Sequence, residues 1–467
     1  MAKGTILVAV LVVTALASMV AVTAMYRMHS ESAACAASTL NEQAHAAAMS
    51  GIARVTALLR VVRESGIDLY DNPGLLRTQL VCDDGINKWY FTIYAGVDAP
   101  GFGGSTFDSA GDAKVRYGVI DEAAKININF ATPESLLALP GMNEELADCL
   151  VDFRDRDNEP LPNGAEQEYY DQLPRPYKAK NGFFFTLEET LLVKGFNGSI
   201  LYGEDANLNG MLEPNEDDGD ATFPADDSDG QLNPGLRGLA TTLTYEPDVD
   251  NEGQARTNLN TAVRSVEGLD PRTTAFIQAY LADKNVFTHP SQLLNMEYRL
   301  KADQPTKAGQ TGRKAGEVIY SYVDASTLPL VLDRLTTNPS KMPLFGLLNV
   351  NSAPAGALAA VPGMDADLAR RIVDARASIA PEARATTAWL FTEGLMDADR
   401  FKQVAPRLTA RTFQYRVQCV GFGWPCGRYR VIEAVVDLAG GTPRLLYMRD
   451  LTRMGVPLPL NVDSGEG

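Results

Sequence analysis

TILVAVLVVTALASMVAVTAMYR, residues 5–27, is the stretch on which the fold of this chain turns. From Ile6 to Tyr26 it carries no charged side chain, and as a helix that run rises about 31 Å, the thickness of bilayer hydrocarbon. Lys3 precedes it and Arg27 follows, so flanking charge orients it only weakly. A secretory signal would have a shorter apolar core and a small-residue cleavage site on its far side. Here the small residue with a basic neighbour, Lys3-Gly4, lies on the near side. The helical pattern also continues past Arg27. Leu40, Ala44, Ala47, Ala48, Ile52, Val55, Leu58, Leu59 and Val62 recur at helical spacing. One helix over 5–67, with 6–26 in lipid and the remainder in water, accounts for both halves, and residues 1–4 stand before it as a short leader.

Outward from the helix, KWYFTIYAGVDA (88–99) reads as a strand, and VRYGVIDEAAKININ (115–129) as a second strand pair. Far downstream, TFQYRVQCVGFG (412–423), RYRVIEAVVDLAGG (428–441) and PRLLYMRDLT (443–452) read as three more antiparallel strands. The fold class is α+β. A sheet from 68–125 and 405–455 packs on the N-terminal helix, with a large, mostly helical domain (126–404) inserted into the sheet's sequence.

That insert contains a repeat. INFATPESLLALPGMNEELADCLVDFRD (128–155) and VNSAPAGALAAVPGMDADLARRIVDARA (350–377) share an Asn-x-Asn start, an apolar helix, Pro-Gly-Met, and a second apolar helix with arginine near its end. The units run over 126–157 and 348–377, and TNLNTAVRSVEGLD (257–270) is a third, diverged start. Gly141 and Gly363 supply the turn, and Asn143 and Asp365 are placed to cap the helix that follows. The units resemble helix-hairpin-helix and SAM-like modules, some of which bind DNA through paired glycine amides. The second glycine is replaced here by Asn143 and Asp365, and the chain's formal charge of −17 opposes a phosphate backbone. Arg370, Arg371 and Arg376 offer some basic surface, so a DNA-uptake protein is the alternative; no nucleic-acid partner is the expectation.

Five cysteines do not make a disulfide scaffold, although Cys419 and Cys426 flank a turn and would clip a hairpin in an oxidising compartment. Inert thiols are the other reading. The three histidines, His29, His45 and His289, show no metal-ligand spacing. Oxygen ligands do appear in DANLNGMLEPNE, which satisfies the twelve-residue calcium loop. Asp205, Asn207, Asn209 and Glu213 stand at positions 1, 3, 5 and 9, Met211 offers its carbonyl at position 7, and Glu216 closes the shell at 12. Asp226, Asp227 and Asp229, before Gly230, form a second acidic cluster without a twelfth-position acid. A solvated acidic loop is the alternative for both, within a region spanning 199–235. No Gly-x-Ser-x-Gly, Walker loop or His-Glu-x-x-His occurs, and the chain is read as non-enzymatic.

The basic-glycine leader before a helix resembles the type IV prepilin class, which implies a cut between Gly4 and Thr5 by a prepilin peptidase. Most members then carry glutamate at the fifth mature residue, here Ala9. The order Asn-x-Asn, Pro-Gly-Met, Gly-Ala-Glu…Tyr-Tyr, Pro-Tyr, Asn-Gly and Leu-Glu-Glu, from Asn127 to Glu189, resembles the minor pseudopilin K family of type II secretion. The resemblance implies a pseudopilin fold with a helical insert and calcium binding. It also implies an inner-membrane anchor with the N-terminus cytoplasmic and the bulk of the chain periplasmic, and a place at the pseudopilus tip with minor pseudopilins I and J.

Overall fold

The computed structural model describes residues 2–65, 69–96, 115–208, 212–219, 221–230, 232–261, 266–301, 314–339, 342–456 and 458–460. Helix α1 runs unbroken over Ala2–Ser65. From Leu7 to Ala36 it is exposed, and among the described residues it is the one helix long and apolar enough to cross a membrane. Its second part lies on a sheet of strands β1 (Gln79–Asp83), β2 (Lys88–Gly96), β3 (Val115–Arg116), β4 (Ile120–Asp121), β5 (Gln414–Trp424), β6 (Tyr429–Asp437) and β7 (Arg444–Asp450). The order is β1-β2-β5-β6-β7, with β3 beside β2 and β4 beside β5, antiparallel throughout.

Alternation along β5 divides the sheet into two faces. Val417, Cys419 and Gly421 face α1, where Ala48, Ile52, Val55 and Leu59 join Phe91, Ile93, Ile432 and Ala434 in an apolar core. Contact there is at backbone distance. A Cβ on Gly421 would lie 2.3 Å from the Ala44 carbonyl oxygen, and one on Gly51 would lie 2.5 Å from Cys419 Sγ. This packing also separates the two hairpin cysteines. Cys419 is buried under Gly51, whereas Cys426 Sγ lies 3.5 Å from the Gly423 carbonyl oxygen. Four strand residues span about 13 Å, well beyond the ~7 Å between Cα atoms that a disulfide tolerates. Of the two readings the structure has the free thiols, with no clip between Cys419 and Cys426.

The opposite face carries charge where it meets the insert, beside an apolar cluster of Tyr90, Tyr94, Val420, Phe422 and Val431. Arg416 pairs with Glu122 (2.6 Å) and Glu433 (2.8 Å), Gln418 donates to Glu433 (3.0 Å), and Arg237 reaches Glu433 from the insert (3.0 Å). Burial alone would raise both carboxyls. Arg416 with Lys125 instead pulls Glu122 down to about 2, and Arg416 with Arg237 does the same to Glu433.

The insert differs from the mostly helical domain expected. Its longest helix, Pro271–Ala282, has 12 residues, and irregular chain and five two-stranded pairings connect the rest. Frequent proline and glycine stop each helix early. The sheet resumes at Gln414 rather than near 405, because Leu408-Thr409 pairs inside the insert with Leu348-Asn349. That pairing recurs. Ile126-Asn127 pairs in parallel with Ala240-Thr241, and Thr257-Asn258 with Leu335-Thr336. In all three, the residue after the first asparagine donates its N–H to the closing threonine's carbonyl: Ile128 to Thr241 (3.0 Å), Leu259 to Thr336 (2.8 Å), Val350 to Thr409 (2.9 Å). The second asparagine ties in distant backbone, Asn129 at Phe184, Asn260 at Phe287 and Asn351 at Arg384. The insert is thus three copies of one unit, closing at 241, 336 and 409. The stretches 126–157, 257–270 and 348–377 are their opening parts.

Candidate metal centre

The first unit holds the tightest acidic cluster. Helix α2 (Pro133–Leu137) and helix α3 (Glu144–Arg154) form its hairpin, with Gly141 at φ +71° and Asn143 accepting from Leu146 N (2.9 Å). Asp152 lies in the last turn of α3, Asp155 caps that helix, and Glu166 precedes the short helix Gln167–Asp171. Gly164 lets the returning chain approach, since a Cβ there would lie 1.8 Å from Asp152 Oδ2. One carboxylate oxygen each of Asp152, Asp155 and Glu166 then falls within 4.8 Å of the others.

This arrangement is costly without a cation. Asp152 accepts from Leu161 N, but both Glu166 oxygens and Asp155 Oδ1 are buried with no partner among the described residues. Arg154 does not compensate; its guanidinium is turned to the carbonyls of Ile128 and Ala131. Burial, then repulsion from Asp155 and Asp152, pushes Glu166 up to about 7, and burial raises both aspartates. Clustered, desolvated carboxylate oxygens suit a hard divalent cation. Sequence reasoning missed this cluster. Its residues, two aspartates three apart and the glutamate of Gly-Ala-Glu, are separated by a loop and show no spacing that joins them.

The calcium-type loop is partly described, and Asn209, Gly210 and Met211 lie outside the described residues. Asp205 and Glu216 are almost fully buried, at 3% and 1% exposure. Glu216 folds back on the loop, accepting from Ala206 N (3.1 Å) and Glu213 N (3.1 Å). Burial, then Asp205, pushes Glu216 up to about 7. Pro214 opens a single 3-10 turn, so no regular helix leaves the loop. Asp226 is engaged otherwise. Its carboxylate accepts from Gly219 N (2.8 Å), Ser228 N (2.8 Å) and Asp218 N (3.0 Å), while Asp227 accepts from Asp229 N (3.2 Å). Backbone donors thus already serve the second cluster.

Of the hairpin arginines, Arg370 and Arg371 are exposed, whereas Arg376 is structural. Arg376 donates to the Ala353 carbonyl (2.7 Å), and Arg400 covers the third unit's hairpin turn, bonding Asp365 (2.6 Å) and the Gly363 carbonyl (3.1 Å). A phosphate has no open turn there.

The long apolar N-terminal helix laid on an antiparallel sheet is the arrangement that the resemblance to pseudopilins implies. Residues 122–202, which include the cluster at Asp152, Asp155 and Glu166, match the family model described as type II secretion system (T2SS), protein K. Over that segment the chain is similar to the minor pseudopilins K of type II secretion. A solved structure, the GspK-GspI-GspJ complex from the enterotoxigenic Escherichia coli Type 2 Secretion System, aligns with 14% identity over 91% of this chain and 99% of that one, at a TM-score of 0.35. No curated protein matches the chain.

Proposed function

We propose that this chain is a non-enzymatic subunit at the tip of a periplasmic pseudopilus, joined there to minor pseudopilins I and J, whose insert is braced by calcium. The observation that carries the tip position is Ala9, in an exposed helix with no acid between Thr5 and Tyr26. A carboxylate in lipid persists where a partner charge meets it; without one, α1 offers no ionic link to the amine of a subunit above. Processing between Gly4 and Thr5 would free the helix for assembly, with the remainder of the chain periplasmic. Mass spectrometry of the mature N-terminus tests this reading. A chain starting at Thr5 supports it, and an intact Met1 or a cut beyond residue 20 overturns it. Co-purification with I and J tests the assembly.

Two centres compete for calcium, the Asp152–Asp155–Glu166 cluster and the loop from Asp205 to Glu216. For Glu166 and Glu216, a folded pKa of about 7 lies above the ordinary value of 4.5. Protonation therefore favours the fold, and that stability is lost as pH rises from 4.5 towards 7. Calcium replaces those protons, so it should raise the melting temperature more at pH 8 than at pH 5. In calcium calorimetry, Glu166→Gln should weaken one binding event and Glu216→Gln another. A variant that leaves the isotherm unchanged removes its centre.

A further inference from the structure

The three repeats close alike, yet the grooves beside their closing strands are filled differently. In the first unit, Phe185–Glu188 and Thr241–Leu243 leave a gap of only about 20 Å³, because Arg416 and Tyr447 of the sheet line it. Arg449, two residues further along β7, clamps the contact by pairing with Glu188 (3.0 Å). The same stations are Thr288–Pro290 and Leu335–Asn338 in the second unit, and Ala385–Thr387 and Leu408–Arg411 in the third. These two grooves run together into a single cleft of about 440 Å³ with no residue of the seven-stranded sheet among its lining. That volume is in the range of a ligand pocket.

Two features of the wall indicate what fits. Phe345 is 40% exposed at the cleft, with one face stacked on Phe130 at 4.9 Å. Arg411 is 9% exposed, and its Nη1 has no partner among the described residues, while its other nitrogens serve Glu246 and the Val249 carbonyl. A buried donor left unpaired is unfavourable, and an arriving acceptor relieves it. Charge does not call for an ion, since Arg256 and Arg411 are balanced by Glu246 and Asp333 among the lining residues.

We propose that this cleft docks an extended segment of a partner protein, which lays an aromatic side chain on Phe345 and offers a main-chain carbonyl to Arg411. Tyr447 of β7, beside Arg416 of β5, is the internal precedent: strand side chains fill the groove of the first unit. The probe is a blocked peptide copying residues 444–450 of this chain, with benzoylphenylalanine at the tyrosine position, added to the full-length protein in detergent. Crosslinks should map to Thr336–Asn338 or Thr386–Thr387, and titration should saturate. Thr337→Trp, which fills the cleft, and Phe345→Ala, a surface change that leaves it open, should each weaken binding at least about tenfold. The proposal is overturned if crosslinks map elsewhere, if both variants bind as the parent does, or if tri-N-acetylglucosamine binds the cleft and the peptide does not.

Discussion

The two faces of the sheet are held by different physics. Against α1 the contact is apolar and so close that glycines at 51 and 421 have no room for a Cβ. Against the insert, Glu122, Arg416, Gln418, Glu433 and Arg237 form a buried ionic lattice. Shape alone fixes the first contact, at any pH. Charge fixes the second, and it depends on every carboxylate staying ionised. The stem of the molecule is thus set permanently, whereas the seat of its insert can be loosened by chemistry.

The largest effect should follow from breaking the apolar side. Gly421→Val would drive side-chain atoms into the backbone of α1 at Ala44–Ala48. Backbone cannot yield as a side chain tip does, so a loss of about 5 kcal/mol or failure to fold is expected, read from expression and thermal melts. Next comes the ionic side. Arg416→Met leaves Glu122 and Glu433 buried without their shared cation, a change that costs about 3–5 kcal/mol. If Arg416→Met melts like the parent, the lattice is ornamental and the contrast between the faces fails.

Acid should separate the faces without mutation. Glu122 and Glu433 have folded pKa values of about 2, below their ordinary 4.5. A depressed folded value means that stability is present above 4.5 and is lost as pH falls towards 2. At most about 3 kcal/mol per carboxylate is at stake. Hydrogen exchange should therefore show the insert side, around Thr241 and Lys125, opening below pH 4.5 while the α1 interface stays protected. Equal loss on both faces would contradict it.

How far the sequence disclosed these features depended on whether the signal was local. The helix from Ile6 to Val62 and strands such as Lys88–Gly96 were legible because periodicity acts between near neighbours. The first and third hairpins were legible through Pro-Gly-Met, and their caps at Asn143 and Asp365 form as expected. The second unit was only half legible, because Glu267-Gly268-Leu269 stands where the others have Pro-Gly-Met. The closing strands were not legible at all, since two residues show no period and pair with partners far along the chain. The acidic centre was hidden for the same reason: Asp152 and Glu166 meet through a loop whose path depends on Gly164.

The smallest change bears most directly on whether the second face is ionic or simply polar. Gln418 is the neutral member of the lattice, donating to Glu433 at 3.0 Å from a nearly buried position. Gln418→Leu keeps the volume and removes one donor, while Arg416 and Arg237 still hold the carboxylate. The expected loss in a denaturant titration is about 1 kcal/mol, the net worth of one hydrogen bond. More telling is the pH dependence. If charge seats the insert, Gln418→Leu lowers stability by the same amount from pH 7 to pH 5 and leaves the steepness of its fall below pH 4.5 unchanged. If the amide were what kept Glu433 ionised, that fall would flatten instead, and the two arginines would lose their assigned role.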